Sequence, residues 1–361
     1  MSGPIAKIAL LGSGTVGLAV LQRLAEWQGT ARGEQLRLVY AANTRLGLYD
    51  PEGLDPRHCA RLLPEAPRDA GCPPHGDAMG ALGGDGIRIL IDATADAETA
   101  RRHASSLSAG VHIATACKLA AGTSLEQWRA INDACSRARS GFGDRATVGA
   151  GLPLLRSIRE LRAGGDQIHA IAGVMSGSLA WLFHHFDGNQ PFSALVRKAR
   201  DAGYTEPDPR EDLSGEDVRR KILILARAAG FAIEAERVDV GSLVPPQLAG
   251  LASTEVDSGL HLLDVALAER LEDARREGKR LRFVARLQNG EARVGLEALS
   301  PDDALAGGGG TDNRVAIWSD RYRSQPLIIQ GPGAGAEVTA AALLDDVLNL
   351  RAHAMGHPLA A

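Results

Sequence analysis

A glycine-rich turn close to the N-terminus constrains the fold of this chain more than any other stretch. Residues 7–11 (KIALL) predict a short buried strand, residues 12–17 read GSGTVG, and an apolar-periodic helix follows. Strand, G-x-G-x-x-G and helix in this order are the fingerprint of a dinucleotide-binding α/β domain. Because glycine is frequent here (42 of 361 residues), the motif gains its weight from the strand and helix around it. We therefore expect a Rossmann-type domain at the N-terminus.

Each glycine of this turn has a separate task in such a domain. The first makes the tight turn, the second lets the backbone approach a pyrophosphate, and the third lets the helix pack on the strand. The N–H groups and the positive dipole of the helix N-terminus attract the phosphates. The predicted cofactor-binding residues of this loop are Gly12, Gly14, Thr15, Val16 and Gly17.

The residues that follow the second predicted strand, residues 36–41, bear on the choice between NAD and NADP. An acidic residue there would accept a hydrogen bond from the ribose 2′-hydroxyl of NAD, whereas an arginine accommodates the 2′-phosphate of NADP. No acidic residue follows the strand, and the loop presents Asn43 and Arg45. This pattern favours NADP over NAD, with a solvated loop arginine as the alternative.

A third strand is predicted over residues 87–93, followed by a helix over residues 97–109. Ala93 and Thr94 fall where this strand ends. In a parallel sheet the loops at the carboxyl ends of the strands line the ligand crevice. We therefore add both residues to the predicted cofactor site.

The next predicted strand, residues 111–115, ends just before Cys117 and Lys118. A lysine at this edge of the sheet is placed at the ligand crevice, and a surface lysine in the same loop is the alternative. Cys117 is either a nucleophile or, with no histidine placed beside it, a small packing residue.

The second half of the chain predicts hairpins in place of strand–helix alternation. Residues 281–285 and 292–294 form strand patterns joined by an Asn289-Gly290 turn, and further strand candidates follow at 315–318 and 327–330. Asn-Gly between two strands is a strong hairpin signal. This half is therefore predicted to be an α+β domain.

These patterns divide the chain into two predicted domains. We predict a dinucleotide-binding domain over residues 1–145 and a substrate-binding and dimerisation domain over residues 146–335. A last apolar helix, within residues 336–361, is expected to pack back on the first domain. The glycine-rich turn before it would bring Gly333 and Gly335 near the nucleotide.

Residues 202–229 (AGYTEPDPREDLSGEDVRRKILILARAA) gather carboxylates, two prolines and a lysine around the start of one helix. Ser214 and Asp217 predict a capping box. Asp217 and Lys221 lie four residues apart on a helix that is apolar nearly all round, so Lys221 is predicted to be a buried, paired ammonium. Such a lysine suits proton transfer. An exposed ion pair of little energetic value is the alternative.

Composition excludes several classes of function. The formal charge of −4 gives no basic footprint for nucleic acid. No apolar run is long enough for a membrane span and no signal peptide is present, so we expect a cytoplasmic protein without a membrane partner. The spacing of the four cysteines suggests neither a disulfide framework nor a zinc site. They are Cys59, Cys72, Cys117 and Cys135.

Taken together, these motifs resemble the homoserine dehydrogenases, above all the form fused to aspartokinase in bacteria. The central block, GYTEPDPREDLSGEDVRRKILILAR at 203–227, is long and specific. The other blocks follow in matching order: GSGTVG, TACKLA at 115–120, TVGAGLP at 147–153, MSGSLAWLF at 175–183 and PLIIQGPGAGAEVTAA at 326–341. The resemblance therefore spans nearly the whole chain.

The resemblance implies reversible NAD(P)-dependent hydride transfer between L-homoserine and L-aspartate 4-semialdehyde, a small-molecule step of threonine, methionine and isoleucine biosynthesis. By motif, Lys118 and Lys221 correspond to the lysines at the reacting carbonyl, with Asp217 supporting substrate and proton transfer. The implied substrate-binding residues are Glu206 and Asp212 for the ammonium group, with Tyr204, Gly177 and Ser178 lining the pocket.

The resemblance also implies a cation and an oligomer. A Na⁺ or K⁺ ion would be held by the main-chain carbonyls of Arg145, Val148, Ala150 and Leu152. A homodimer or homotetramer would form through the sheet of the second domain. Neither an aspartokinase nor a regulatory domain is recognised in this sequence, so a monofunctional enzyme is expected.

Two departures and two alternatives remain. Cys117 stands where the family usually has asparagine, and the GGGG run at 307–310 is unexplained. One alternative is a semialdehyde oxidoreductase that uses a cysteine nucleophile, for which Cys117 or Cys135 would be essential. The other is a dinucleotide-sensing regulatory protein that has lost turnover, although the retained Lys118, Asp217 and Lys221 argue against it.

Overall fold

The computed structural model describes residues 3–67 and 74–356, and the chain divides into two compact units. The first comprises residues 1–151 and 334–361, and the second comprises residues 152–333. The first unit thus runs past the boundary placed at residue 145 from the sequence. Cys72 and the last five residues of the predicted C-terminal segment lie outside the described residues.

A six-stranded sheet forms the centre of the first unit. Its strands are β1 Ala6–Leu11, β2 Leu36–Ala42, β3 Gly47–Tyr49, β4 Ile87–Asp92, β5 His112–Thr115 and β6 Phe142–Gly143. Their order is β3-β2-β1-β4-β5-β6, and all neighbours are parallel except the short edge strand β3. The strand order reverses between β1 and β4, which is where open α/β sheets bind ligands beyond the carboxyl ends of their strands.

Helices cover both faces of this sheet. They are α1 Thr15–Trp27, α2 Pro56–Glu65, α3 Pro74–Ala81, α4 Ala97–Arg101, α5 His103–Ser108, α6 Leu125–Ala138 and a C-terminal helix, Ala336–Ala354. α1 and the C-terminal helix pack apolar side chains on one face, and α3, α5 and α6 pack on the other. The helix predicted over residues 97–109 is interrupted at Arg102, where α4 ends before α5 begins.

The second unit contains another six-stranded sheet. Its strands are β7 Ile168–Val174, β8 Val238–Val240, β9 Arg280–Gln288, β10 Glu291–Leu299, β11 Asp312–Ser319 and β12 Leu327–Pro332. The order is β12-β11-β7-β9-β10-β8, antiparallel except for the β10–β8 pair. The predicted turn joins β9 to β10, with φ of 53° at Asn289 and 82° at Gly290. Positive φ at both positions is the requirement of a type I′ hairpin turn.

The helices of the second unit are α7 Leu154–Ala163, α8 Gly177–His185, α9 Phe192–Asp201, α10 Arg210–Leu213, α11 Glu216–Ala228, α12 Pro246–Ala249, α13 Val256–Gly259 and α14 Asp264–Arg276. α11 is buried from Lys221 to Ala228 because its sequence is apolar nearly all round after the first turn. A Rossmann-type unit joined to an α+β unit confirms the predicted fold class.

The capping box predicted at Ser214 is wrong. Ser214 ends α10 with helical dihedrals, and its Oγ donates to the carbonyl of Glu211 at 2.8 Å. The N-cap of α11 is Gly215, with φ of 79°. Glycine is required there because the left-handed conformation excludes most side chains and because an added Cβ would lie 2.9 Å from the Phe283 ring. Asp217 is thereby released from capping and pairs with Lys221.

Among the described helices, none is both long enough and apolar enough to cross a lipid bilayer.

Candidate functional site

Lys221 is the centre of a polar cluster in the second unit. Only 8% of the residue is exposed, because α11 enters the protein interior with its apolar side chains. Its Nζ donates to the Met175 carbonyl at 2.7 Å and lies 2.8 Å from Asp217 Oδ2. A buried ammonium is tolerated when acceptors surround it, and here a carbonyl and a carboxylate do so. Since the Asp217 side chain is 44% exposed, this end of the cluster faces solvent.

Hydroxyl groups from the start of α8 extend the cluster to a second carboxylate. Ser176 caps the helix by accepting from the Leu179 N–H at 3.3 Å, and its Oγ lies 2.8 Å from Ser178 Oγ. Ser178 Oγ donates to Asp212 Oδ1 at 2.7 Å, and the Glu206 N–H donates to Asp212 Oδ2 at 2.8 Å. Both oxygens of Asp212 are therefore held in a fixed orientation.

Burial raises the pKa of the Asp212 carboxyl above its usual range. The hydrogen bonds from Ser178 and Glu206 oppose this shift, the charge of Asp217 adds to it, and Lys221 counters it. Two carboxylates and one ammonium in such proximity make a site suited to a ligand that carries positive charge.

The remaining predicted pocket residues lie around this cluster. Gly177 begins α8 and has no room for a side chain without displacing the Thr311 carbonyl, which would lie 3.2 Å from an added Cβ. The exposed Tyr204 ring packs 5.3 Å from the Trp181 ring, centre to centre. Glu206 is exposed and belongs to the loop whose N–H binds Asp212. The structure thus brings the predicted substrate-binding residues together with Asp217 and Lys221.

Sequence reasoning missed two groups, one in this cluster and one next to a predicted pocket residue along the chain. The Met175 carbonyl has no sequence signal, since any residue after β7 would supply it. The hydroxyl of Thr205 is buried and has no hydrogen-bond partner among the described residues. An unpaired buried hydroxyl is expected to meet a ligand or water. Thr205 lies in the chain between the predicted pocket residues Tyr204 and Glu206, and this position could have indicated it from the sequence.

The glycine-rich turn of the first unit has the geometry its motif requires. Gly12 has φ of 98°, and an added Cβ would lie 2.7 Å from the Ala93 carbonyl oxygen. A Cβ on Gly17 would overlap the Gly12 carbonyl, so this glycine permits the contact between α1 and β1. No described atom lies within 4 Å of a Cβ added at Gly14. The space above Gly14 is therefore open, as close approach of a ligand requires.

The start of α1 is suited to bind an anion. Thr15 and Val16 open the helix, and in the described part of the chain no side chain caps it. Backbone N–H groups at an uncapped N-terminus attract phosphate groups. The arrangement fits the pyrophosphate of a dinucleotide.

Two residues of the loop after β2, Asn43 and Arg45, have different roles. The Asn43 amide donates to Ser13 Oγ at 2.9 Å and to the Leu63 carbonyl at 2.7 Å, while its Oδ1 accepts from two N–H groups of its own loop. This side chain is committed to shaping the turn. Arg45 Nη1 donates to the Ala66 carbonyl at 3.0 Å, and no described carboxylate pairs with its charge. Arg45 thus retains a cationic group beside the loop.

Asp92, fully buried at the end of β4, organises the two following loops. Its Oδ1 accepts from the N–H and hydroxyl of Thr94, and its Oδ2 accepts from Thr115 at 3.2 Å and lies 3.0 Å from His103 Nε2. Thr115 Oγ1 in turn accepts from the Cys117 N–H at 2.9 Å. This network, with Ala93 and Thr94 on one loop and Lys118 on the other, fixes the carboxyl edge of the sheet.

The structure disfavours a cysteine nucleophile. Burial raises the pKa of the Cys117 thiol to about 12, and the charge of Asp92 adds to the effect. Burial likewise raises the pKa of Cys135 to about 11. Because the thiolate is the reactive form, neither residue is poised to attack a carbonyl at neutral pH.

The predicted cation-binding residues belong to the segment at the unit boundary. Arg145 opens a 3₁₀ turn, and its guanidinium Nε lies 3.1 Å from Asp346 Oδ1, so a carboxylate balances its charge. Ala150 has a left-handed φ of 51° next to Gly149 at 75°, which turns successive carbonyls in different directions. Val148 is buried, and the Leu152 carbonyl accepts from the Leu154 N–H at 2.8 Å. A carbonyl retains a second lone pair in that case.

The two glycines of the late turn differ in their packing. A Cβ on Gly333 would overlap the buried Asn313 amide, so that glycine is required by internal packing. Gly335 has φ of 127° and precedes the C-terminal helix as its N-cap. The structure gives both positions a reason to be glycine without reference to a nucleotide.

Three comparisons place the chain among known proteins. The sequence model of the homoserine dehydrogenase family matches residues 153–348. A bifunctional aspartokinase/homoserine dehydrogenase 2 of Escherichia coli is 40% identical over 95% of this chain, which spans 43% of that relative's length. A homoserine dehydrogenase of Emericella nidulans is 33% identical over 97% of this chain and 99% of its own length. The chain thus spans about two fifths of the bifunctional relative and nearly all of the fungal one.

Solved structures show the same fold. A Candida auris protein of unknown function is 34% identical, with a TM-score of 0.86 over 96% of this chain and 98% of its own. A hyperthermophilic archaeal homoserine dehydrogenase, solved in complex with NADPH, is 18% identical, with a TM-score of 0.75 over 99% of this chain and 100% of its own.

Proposed function

Because this chain belongs to the homoserine dehydrogenase family, we propose that it interconverts L-homoserine and L-aspartate 4-semialdehyde with NADP or NAD. In the reducing direction, the aldehyde carbon gains a hydride and the aldehyde oxygen gains a proton. The products are the primary alcohol of homoserine and the oxidised nucleotide. The bound nicotinamide supplies or accepts the hydride.

The observation that carries this proposal is the buried ammonium of Lys221 beside two carboxylates. Hydride addition builds negative charge on the aldehyde oxygen, and an ammonium at that oxygen stabilises the charge and donates the proton. Asp217, 2.8 Å from Nζ and half-exposed, links Lys221 to solvent for proton exchange. Lys118 is assigned to the reacting carbonyl by its place in the family block.

The same cluster supports recognition of the amino group. Asp212, oriented by Ser178 and the Glu206 N–H, offers remaining lone pairs to a substrate ammonium. The Glu206 carboxylate adds a second negative charge at the solvent side. Tyr204 and the Thr205 hydroxyl complete the polar wall, and Gly177 keeps the entrance free of a side chain.

The cofactor proposal rests on the first unit. Three features fit a pyrophosphate and a 2′-phosphate: the open space at Gly14, the start of α1, which no described side chain caps, and the charge of Arg45, which no described carboxylate pairs. NADP is therefore the preferred coenzyme. The carbonyls of Arg145, Val148, Ala150 and Leu152 are proposed to hold Na⁺ or K⁺, and the enzyme is proposed to act as a homodimer or homotetramer.

The test is a spectrophotometric assay at 340 nm with L-homoserine and NADP or NAD, with and without potassium. Lys221→Ala is expected to lower kcat by about 10²–10⁴, the usual contribution of a positioned acid–base group. Lys198→Ala is the matched control, since Lys198 is exposed and its ammonium donates only to Gln190 in the described structure. Cofactor binding and the far-UV spectrum should be unchanged in both variants.

The outcomes separate the proposals. Wild-type turnover in Lys221→Ala contradicts the role of Lys221 but leaves the reaction standing. NADPH binding without any homoserine-dependent reduction in the wild type contradicts the reaction itself and supports the sensor alternative.

A further inference from the structure

The GGGG run at 307–310 borders a small cavity that opens to solvent. The cavity lies against α8 and the sheet of the second unit. Its lining residues are Val174, Ala180, His184, Arg282, Gly307–Gly310, Asp312 and Arg314. Two arginines and four glycines in one small cavity are an unusual lining, and the substrate cluster uses none of them.

Arg282 is a buried charge that has no counter-charge among the described residues. Only 7% of the residue is exposed on β9. Its Nη1 donates to the carbonyls of Phe183 at 3.1 Å and Leu281 at 2.9 Å, and no carboxylate in the described part of the chain forms an ion pair with it. Burial and the nearby Arg280 lower its pKa. A buried guanidinium is costly unless an opposite charge balances it.

The other groups of the cavity leave its charge positive. Arg314 donates from Nε to the Ala304 carbonyl at 2.5 Å and from Nη1 to Gln330, and it too has no ion pair in the described residues. Asp312 contributes one carboxylate, whose Oδ2 accepts from Gln330 at 3.3 Å. Burial lowers the pKa of His184, as do His185, Arg282 and Arg280, and this disfavours the charged imidazole. Two cations thus face one carboxylate.

The glycine loop supplies backbone donors. None of the four N–H groups of residues 307–310 donates to a protein acceptor within the described chain. Gly308 and Gly310 have φ of 93° and 62°. Loops with left-handed glycines form concave nests of N–H groups that bind anions. No side chain at these positions shields the donors from the cavity.

The geometry points to a binding site for a small oxyanion in this cavity, held by the Arg282 and Arg314 guanidinium groups and the N–H groups of the glycine loop. Phosphate, sulfate and carboxylate share the required chemistry, and arginine pairs with all three. The anion would neutralise Arg282 and order the loop.

An occupied site has a consequence for α8. The loop continues into Thr311, whose carbonyl lies 3.2 Å from the Cβ position of Gly177 at the start of α8. Ordering this loop steadies the helix end that bears Ser178. This consequence rests on the proposed function, whereas anion binding itself does not.

The test is isothermal titration calorimetry of the full chain with sodium sulfate, phosphate and acetate, in a Tris chloride buffer free of other oxyanions, at constant ionic strength. One saturable site is expected for wild type. Arg282→Met and Arg314→Gln should each weaken sulfate binding by about tenfold or more, since each removes a charge-assisted contact. Arg293→Gln is the control, because the Arg293 side chain is 64% exposed on β10.

Gly309→Val tests the site without altering its charge. Its added Cβ would lie 3.7 Å from His184, an ordinary contact, so the fold should tolerate the side chain while the cavity fills. Sulfate binding should be lost in this variant, and crystals soaked in selenate should show an anomalous peak beside Arg282 in the wild type. No saturable binding to wild type, or equal affinity in Arg282→Met, Arg314→Gln and Gly309→Val, overturns the inference.

Discussion

Alanine at Gly14 should leave stability almost unchanged, whereas alanine at Gly17 should lower it, although both residues lie in one turn. Gly14 has φ of −73° and ψ of −168°, a conformation that alanine adopts, and no described atom lies within 4 Å of its added Cβ. The folded protein therefore loses no contact. Alanine is a poorer N-cap than glycine, but it restricts the unfolded chain more, so we expect a net change within about 1 kcal/mol.

Gly17→Ala places its methyl group against the Gly12 carbonyl. The overlap is with backbone, so the turn or α1 must move. Overpacking of this kind costs about 1–3 kcal/mol, and the gain in helix propensity from glycine to alanine, about 1 kcal/mol, offsets only part of it. Gly17→Ala should be less stable than wild type.

Affinity for NADPH should fall in both variants. The methyl group of Gly14→Ala occupies the space that the pyrophosphate needs, and losing one charge-assisted hydrogen bond of about 1.5–3 kcal/mol weakens binding by roughly tenfold to a hundredfold. The assays are NADPH fluorescence titration and guanidinium unfolding. Wild-type affinity in Gly14→Ala, or a loss of more than about 2 kcal/mol of its stability, would refute the reasoning.

Three further changes test other parts of the structure. Burial, with His353 and Arg88, lowers the pKa of His112 to about 4, and its Nδ1 accepts from the Gly141 N–H. A lowered histidine pKa stabilises the folded protein fully above about pH 6.5, and this contribution, at most about 3 kcal/mol, is lost as pH falls through 4. Urea unfolding at several pH values should show this loss. His112→Gln should make the free energy of unfolding less dependent on pH in this range. Cys117→Ala should retain turnover, because the pKa of this buried thiol is about 12; complete inactivation would revive the cysteine-nucleophile alternative. Asp212→Asn should raise the KM for homoserine about tenfold or more, and an unchanged KM would remove Asp212 from ammonium recognition.

Local sequence patterns determined much of this protein. GSGTVG between a strand and a helix specified the turn between β1 and α1, because tight turns and close backbone approach require glycine at fixed spacing. The Asn289-Gly290 turn specified a hairpin for the same reason. The apolar character of α11 predicted that Lys221 is buried, since a helix without a polar face enters the interior. The long central block further indicated the family, which the comparisons confirmed.

Only the tertiary structure decided which groups meet. The Met175 carbonyl binds Lys221 from a strand end 46 residues away, and Ser178 orients Asp212 across 34 residues. Ser214 matched a capping pattern, yet the packing of α10 and of Phe283 moved the N-cap to Gly215. Period and turn chemistry act over a few residues and can be read along the chain. Which residues meet across such separations depends on how whole elements pack. That packing is determined by the sequence as a whole and not by any local pattern.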